Sequence, residues 1–448
     1  MSFLDNPELR RLAWLEMTPV RLVVMPVVLG LLLLLGVLNE AGSSIMASGA
    51  LAVYLLLTHF WGLRQAAESV AEEFRARTWD LQRMSVSSPR DLALGKLIGA
   101  NLFTWYGGLM CLIVFAFFAR HEMSTVRVVS VLLFVLGSAT LLQGAALFLT
   151  LLSPGARSFR TPYLLILGVI AIPTAGSVFS MLTEDHARAL TWYGWSWPTL
   201  QFAAISVWLY ALWAVLGVIR LMAGQLQVRT TPAVFCAFLL FVTLYASGFV
   251  IGRDIPPLSA LVFVLMTGAL VFAAGGYLAA WFESRDALRY KRIGLAYGAG
   301  RMQRVLEELP SWSAALAIAA ALAVLLVPGL TVVSARPVSA VFAWVDEASR
   351  FGPLTPLALV LLALRDIAFV QGVSFTRSAK RADLAIAVYL LLVYLLLPAL
   401  LSVFGANSLI LPNAFTQPVV AVVVFGIHLA AVLVWVRLRW RGLGQAGA

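Results

Sequence analysis

The sequence predicts an all-α, polytopic transmembrane helix bundle with about twelve spans and both termini in the cytoplasm. Three observations carry this expectation: long apolar blocks, scarce charge, and a lopsided distribution of the charge that remains. Of the 448 residues, 61% are hydrophobic and 12% charged. An ordinary soluble domain carries roughly 45–50% apolar and about 25% charged residues. A helix needs roughly 20 apolar residues to cross about 30 Å of hydrocarbon. Blocks of that size recur along the whole chain.

The predicted spans of the first half are 20–38, 45–65, 98–118, 126–152, 162–182 and 199–221. Those of the second half are 232–251, 258–282, 312–333, 353–373, 384–404 and 418–436. With the amino terminus inside, the inner segments collect twenty-four Arg and Lys side chains, and the outer segments collect six. Arg21 and Arg365 lie at or within span edges and stay out of this tally. Cationic loops are retained on the cytoplasmic side, so a wrong register of spans is hard to reconcile with this split. Trp192, Tyr193, Trp195 and Trp197 cluster before the sixth span, on the outer side, where rings with one polar edge prefer the headgroup region.

The formal net charge of +11 follows from the same loops and does not call for nucleic acid. Cys111 and Cys236 sit inside apolar blocks and read as small hydrophobes. The first nineteen residues mix acidic and basic side chains, and the apolar block after them is too long for a signal-peptide core, so it reads as a retained span. Lysine occurs only at 96, 291 and 380, and such an excess of arginine over lysine is associated with GC-rich bacterial genomes. The expected location is therefore the bacterial cytoplasmic (inner) membrane.

The spans divide into two six-span halves, 1–222 and 223–448. In each half the longest polar loop follows the second span, at 64–97 and 283–311. The second loop is basic and carries Gly294, Gly298 and Gly300. Two halves in one orientation suggest related units about an axis along the membrane normal.

The first loop is the most informative segment. Val70, Phe74, Leu81 and Met84 fall in one arc at 100° per residue, with Glu72, Arg75, Trp79 and Gln82 opposite. This predicts one amphipathic helix near the membrane surface. Trp79, on the polar face, is either an interfacial or internal anchor or a contact for a docked protein. A second helix starts with Ser88 at the N-cap, Pro89 at the first helical position and Asp91 in the first turn, and runs through Lys96 into the third span. Such an element, tied to two spans, is a mechanical lever.

The stretch 72–99, EEFRARTWDLQRMSVSSPRDLALGKLIG, resembles the corresponding loop of ABC-2-type transporter permeases. The matching positions are Glu73, Thr78, Asp80, Ser88, Pro89, Gly95 and Lys96. The resemblance implies a type V permease fold and a coupling helix that docks on a separate ATP-binding subunit, expected as a dimer. It carries that role to Thr78, Trp79, Asp80, Arg83, Ser88, Pro89, Arg90 and Asp91. It also implies that residues 7–16 form an interfacial connecting helix. The loop at 283–311 departs from the pattern, having no Ser-Pro cap before Trp312.

No G-x-x-x-x-G-K-[ST] run is present, so ATP and magnesium are expected on the partner and no cofactor on this chain. The four histidines are scattered without metal-ligand spacing, and no nucleophile–base arrangement stands out, so an enzymatic role is not expected. Ionisable residues within spans are functional candidates. Arg365 and Asp366, in the tenth span, point about 100° apart on a helix and are not expected to pair simply with each other. Arg365 fits three roles: snorkelling to the cytosol, an inter-helix lock, or a substrate contact. His59, Asn101, Gln143 and His428 suit hydrogen bonding between helices. The expected function is the membrane subunit of an ATP-driven exporter. The alternatives are an ion-coupled secondary transporter and an integral membrane enzyme acting on lipids.

Overall fold

In hydrocarbon, an apolar run of this length satisfies its backbone polar groups within a single segment only as a helix. The computed structural model is built accordingly. It describes residues 5–84, 88–152, 172, 176, 189–252, 256–283, 287–333, 354–375, 382–414 and 417–445. Among these, ten helices are long and apolar enough to cross a membrane. The protein is thus an α-helical, multi-pass membrane protein. The chain divides into two compact units, residues 1–191 with 196–230, and residues 192–195 with 231–448.

The first unit opens with a short helix, α1 (Pro7–Glu16), and a span, α2 (Pro19–Leu38). Thr18 accepts from the Arg21 amide and Pro19 fills the first position, so α2 starts where its apolar run starts. Most of the α2 leucines and valines are exposed, as on a surface that faces lipid. The helix α3 (Ser43–Arg75) follows. At 33 residues it is about 50 Å long, some 20 Å more than the hydrocarbon it has to cross. A π turn at Leu56–Trp61 interrupts it. Next come α4 (Trp79–Arg83), α5 (Pro89–Gly99), α6 (Leu102–Ala119) and α7 (Thr125–Leu152). The last helix of the unit is α8 (Thr199–Gln225). Leu51, Tyr54, Phe115, Val131 and Val135 form one core between α3, α6 and α7. Val70, Trp79, Leu92, Leu147 and Met222 form a second, which gathers α3, α4, α5, α7 and α8.

Two strands, β1 (Ala189–Trp192) and β2 (Trp195–Pro198), precede α8. This hairpin departs from the all-α expectation. Its turn residues Tyr193 and Gly194 have φ of 51° and 78°, the pair of positive values a two-residue hairpin with the correct twist requires.

The second unit contains α9 (Ala233–Ser247), α10 (Pro257–Phe282), α11 (Ala287–Gly298), α12 (Met302–Glu308) and α13 (Ser311–Val333). It continues with α14 (Thr355–Ser374), α15 (Leu384–Ser402, with a π turn at Leu392–Leu396) and α16 (Pro418–Gln445). Ala315, Ala319 and Ala323 make a stripe of small side chains on α13 that packs with Leu239 and Phe272. Close approach of this kind replaces the hydrophobic drive that lipid removes.

One predicted span is cut short and another lies almost wholly outside the described residues. The seventh shrinks to α9, whose 15 residues reach only about 22 Å. Its final carbonyls are taken up instead. Trp192 Nε1 donates to Tyr245 O (3.0 Å), the Tyr193 hydroxyl to Leu244 O (2.8 Å) and the Tyr193 amide to Gly248 O (2.7 Å). The fifth predicted span, 162–182, falls outside the described residues except Ile172 and Gly176.

Candidate functional site

Lys96 is wholly buried, and its ammonium is the centre of an ionic cluster. Its Nζ donates to Glu73 Oε2 on α3 (2.6 Å) and to Glu8 Oε1 on α1 (3.1 Å). Arg11 holds Glu8 with two hydrogen bonds (2.9 and 2.8 Å) and reaches Glu73 Oε1 at 3.1 Å. Gln82 Nε2 donates to the same Glu73 oxygen at 2.6 Å. Two cations and two carboxylates thus neutralise one another across three helices. Burial works to raise the Glu8 pKa, but the hydrogen bond from Arg11 and the charges of Lys96 and Arg11 outweigh it, so Glu8 sits below its ordinary value of 4.5.

The sequence permits this approach because Gly95 and Gly99 lie one turn apart on α5. A Cβ on Gly95 would come within 2.7 Å of the Glu8 Cβ, and one on Gly99 within 2.8 Å of the Leu12 Cβ. Asn6 completes the joint. Its Oδ1 caps α1 by accepting from the Glu8 and Leu9 amides (3.0 and 3.1 Å), while its Nδ2 donates to Asp91 O (2.7 Å).

The loop that links these helices differs from the predicted single amphipathic helix over 70–84. Helix α3 runs on to Arg75, and Arg77 then adopts a left-handed φ of 57°. That residue resets the helical phase, so side chains before and after it no longer share one face. The predicted faces hold before it, with Val70 buried and Glu72 and Arg75 exposed, and invert after it: Trp79 is buried at 5%, whereas Leu81 and Met84 are exposed at 64% and 75%. Trp79 packs against Phe74, with ring centroids 4.7 Å apart, and lies 5.9 Å from Lys96 Nζ. It is therefore an internal brace, not a side chain offered to a docked protein. Of the other coupling candidates, Thr78, Asp80, Arg83, Ser88 and Arg90 are exposed, while Pro89 and Asp91 are half-buried. Asp80 and Arg83 form a weak surface pair at 3.4 Å.

The cap at Ser88 is as the sequence reads: its Oγ accepts from the Asp91 amide (3.1 Å) and donates to Asp91 Oδ2 (2.6 Å). The predicted continuity into the third span is not. Helix α5 stops at Gly99 and α6 starts at Leu102, because Asn101 turns its own side chain back to bond Leu97 O (2.9 Å). The lever has a joint at this point.

Within the spans of the first unit, the π turn of α3 gathers the predicted polar candidates. A π turn frees a carbonyl from the helical ladder, and Gln143 Nε2 on α7 donates to the carbonyl of Thr58 (3.1 Å). Trp105 Nε1 on α6 donates to Gln143 Oε1 (3.0 Å). His59 bonds at both ring nitrogens, Nε2 with Ser138 Oγ (2.8 Å) and Nδ1 with Thr58 Oγ1 (3.0 Å). A neutral imidazole satisfies this with one donor and one acceptor. His59 and Gln143 therefore each tie α3 to α7. Asn101 Oδ1 is buried without a partner.

The second unit holds a separate buried group around Arg365 and Asp366, which are 2% and 1% exposed. Contrary to the expectation for sequence neighbours, they pair: Arg365 Nε and Nη2 donate to Asp366 Oδ1 at 3.0 and 2.8 Å. The 100° between their Cβ directions is bridged by the length and bend of the arginine side chain. Snorkelling is excluded by the same geometry. Tyr389 donates to Asp366 Oδ1 (3.1 Å), while Tyr394, from the π turn of α15, and Tyr277, from α10 (3.4 Å), donate to Oδ2. Arg365 Nη2 also reaches the Tyr394 oxygen (3.1 Å), and its guanidinium lies over Phe425 on α16 at 5.5 Å. The group thus joins four helices, α10, α14, α15 and α16, in the manner of a lock.

The carboxylate of Glu8 and the three tyrosines escaped the sequence reading. Glu8 sat among other charged residues near the amino terminus, although the neighbouring glycine pair beside Lys96 signalled a close contact. The tyrosines lay in apolar blocks where they read as core. Among the described residues, no group of three or more His, Cys, Asp or Glu side chains could hold a metal ion. No family model, curated protein or solved structure matches the chain.

Proposed function

We propose that this chain is the permease subunit of an ATP-driven transporter of the ABC-2 type, acting as an exporter in a bacterial inner membrane. One observation carries the reading. Helix α3 continues past the hydrocarbon, turns through α4 and returns through α5, and the Lys96 cluster clamps α1, α3 and α5 together while Asp80 stays exposed at the turn. A braced handle of this form suits a motor that pushes from outside the chain. The sequence carries no ATP-binding loop, so the reading places ATP and magnesium on a separate, dimeric ATP-binding subunit. In this reading the chain has twelve spans, its termini are cytoplasmic, and the bundle alternates between two states that open a substrate path to one side or the other. The motor can bias that equilibrium only by binding its two states with different affinity.

The test is co-expression with an ATP-binding cassette protein encoded beside this chain. A stable complex is expected, and Asp80→Arg or deletion of residues 88–91 weakens it. An unchanged complex with both variants overturns the assignment of the handle. A secondary transporter remains the second reading because Asp366 is a buried carboxylate within a span. Under that reading Asp366→Asn abolishes ion-coupled movement of substrate without any ATP-binding partner.

A further inference from the structure

The basic segment after α10 has no role in the reading above. It forms a helical hairpin, α11 and α12, fixed firmly to the ends of three spans. Arg289 Nε and Nη2 donate to Glu308 O (2.7 Å) and Leu309 O (3.2 Å). Arg289 Nη1 also lies 3.6 Å from Glu283, the residue that follows α10. The Glu283 carboxylate accepts from the Ser311 amide at 2.9 and 3.0 Å, which caps α13. The Tyr290 hydroxyl donates to Gln371 Oε1 near the end of α14 at 3.2 Å. The hairpin is therefore held where three hydrophobic spans end, the level of lipid headgroups.

Its outward face has an unusual composition. Arg289, Tyr290, Ile293 and Ala296 make the inward arc of α11. Leu288 and Leu295, seven residues apart and so nearly aligned, face away and are 60% and 75% exposed. Lys291 and Arg292 flank them on either side. On α12, Met302 and Leu306, one turn apart, are also exposed. Lys291, Arg301 and Arg304 are exposed, whereas both described carboxylates of the hairpin, Glu307 and Glu308, are half-buried. Glu308 is engaged by Arg292 at 3.3 Å.

An apolar stripe between cations, with the acidic groups half-buried, complements an anionic bilayer surface. A helix of this kind lies in the interface with its leucines below the headgroups and its cations among them. We propose that Leu288 and Leu295 bed in the headgroup–acyl boundary and that Lys291, Arg301 and Arg304 hold anionic lipid headgroups. The inference goes beyond the permease reading and does not depend on it.

The full chain in nanodiscs of phosphatidylcholine, with and without phosphatidylglycerol, provides the test, read as amide hydrogen exchange over residues 287–308. Each surface cation contributes roughly a fivefold factor in affinity for an anionic leaflet, so slowing on the order of a hundredfold is expected with phosphatidylglycerol. The K291Q/R301Q/R304Q variant, which touches none of the anchoring bonds, loses that difference. The L288S/L295S variant exchanges faster in both lipids. Equal exchange in the two lipids overturns the proposal. So does slowing that survives in the triple variant, or protection that arises only when an ATP-binding subunit is added to phosphatidylcholine discs.

Discussion

A lysine without solvent is the most consequential single residue in the first unit. Lys96 is one of three lysines in the chain, and its ammonium has Glu8 and Glu73 in place of the water it has lost, with the Trp79 ring 5.9 Å away. Removing one partner of a buried ion pair costs about 3–5 kcal/mol, because the charges left behind lack compensation. Lys96→Met should therefore destabilise the protein by about that amount in detergent unfolding, and Lys96→Met with Glu8→Gln and Glu73→Gln should recover most of it. Equal loss in the single and triple variants would show that the cluster acts through packing alone. Glu8 adds a pH dependence. Its carboxyl is held below 4.5, so its stabilising contribution is complete above that value and is lost as pH falls through the depressed folded value. The unfolding temperature should decline on acidification below about 4.5, and Glu8→Gln should flatten that decline. Arg365 obeys the same logic in the second unit. Arg365→Leu leaves Asp366 buried with no cation and should cost about 3–5 kcal/mol, whereas Arg365→Leu with Asp366→Leu should cost much less. Thermal unfolding and transport, measured on both variants, separate a lock from a substrate contact, since a lock survives replacement by apolar packing and a substrate contact loses transport in either variant.

Helices in this protein meet where side chains are small or where a turn is broken. The glycines of α5 let α1 lie directly on it, and a larger residue has nowhere to go at Gly95 because the nearest atoms are the Cβ and Cγ of Glu8 and the Leu9 backbone. Gly95→Leu should lift α1 from α5 and speed amide exchange over residues 7–16, while Gly294→Leu, with open space around it, should change nothing there. Slow exchange in the Gly95 variant would place the clamp elsewhere. Much at this scale was legible: the Ser88–Pro89–Asp91 start of α5 follows from local hydrogen-bond chemistry, and most spans follow from apolar length alone. The breaks were not. Arg77 takes a left-handed conformation although nothing in its residue type asks for one, and only tertiary packing of Trp79 against Phe74 and Leu92 accounts for it. The π turns at Leu56–Trp61 and Leu392–Leu396 leave no trace in a pattern of apolar residues either, because an inserted residue shifts the phase without changing composition. Both carry polar side chains of the buried groups, Thr58 with His59 and Tyr394. Polar residues in spans marked the two groups, but their partners needed a fold to be seen.

Across the whole molecule, orientation is a question of parity. Each span reverses the side on which the next loop emerges, so one helix that fails to cross inverts everything after it. The first loop, with Asp80 at its tip, and the α11–α12 hairpin are both expected on the inner side. That requires an even number of crossings between them. Helices α6, α7, α8 and α10 supply four by length and apolarity. The remaining two are the fifth predicted span, which lies outside the described residues, and α9, which at 15 residues falls short of the hydrocarbon thickness. The bonds from Trp192 and Tyr193 satisfy the last carbonyls of α9, so a short helix that ends below the headgroups keeps no exposed acceptors there, which favours its crossing with a locally thinned bilayer. Single cysteines at Met84, Arg301 and Asn407, in a chain whose Cys111 and Cys236 are replaced by alanine, decide the matter with a membrane-impermeant thiol reagent. Met84 and Arg301 should label from the same, inner face in intact cells only after the membrane is opened, and Asn407 without opening. Labelling of Met84 and Arg301 from opposite faces would mean that one of these two segments re-enters instead of crossing, and the first loop and the basic hairpin would then lie on opposite sides of the membrane.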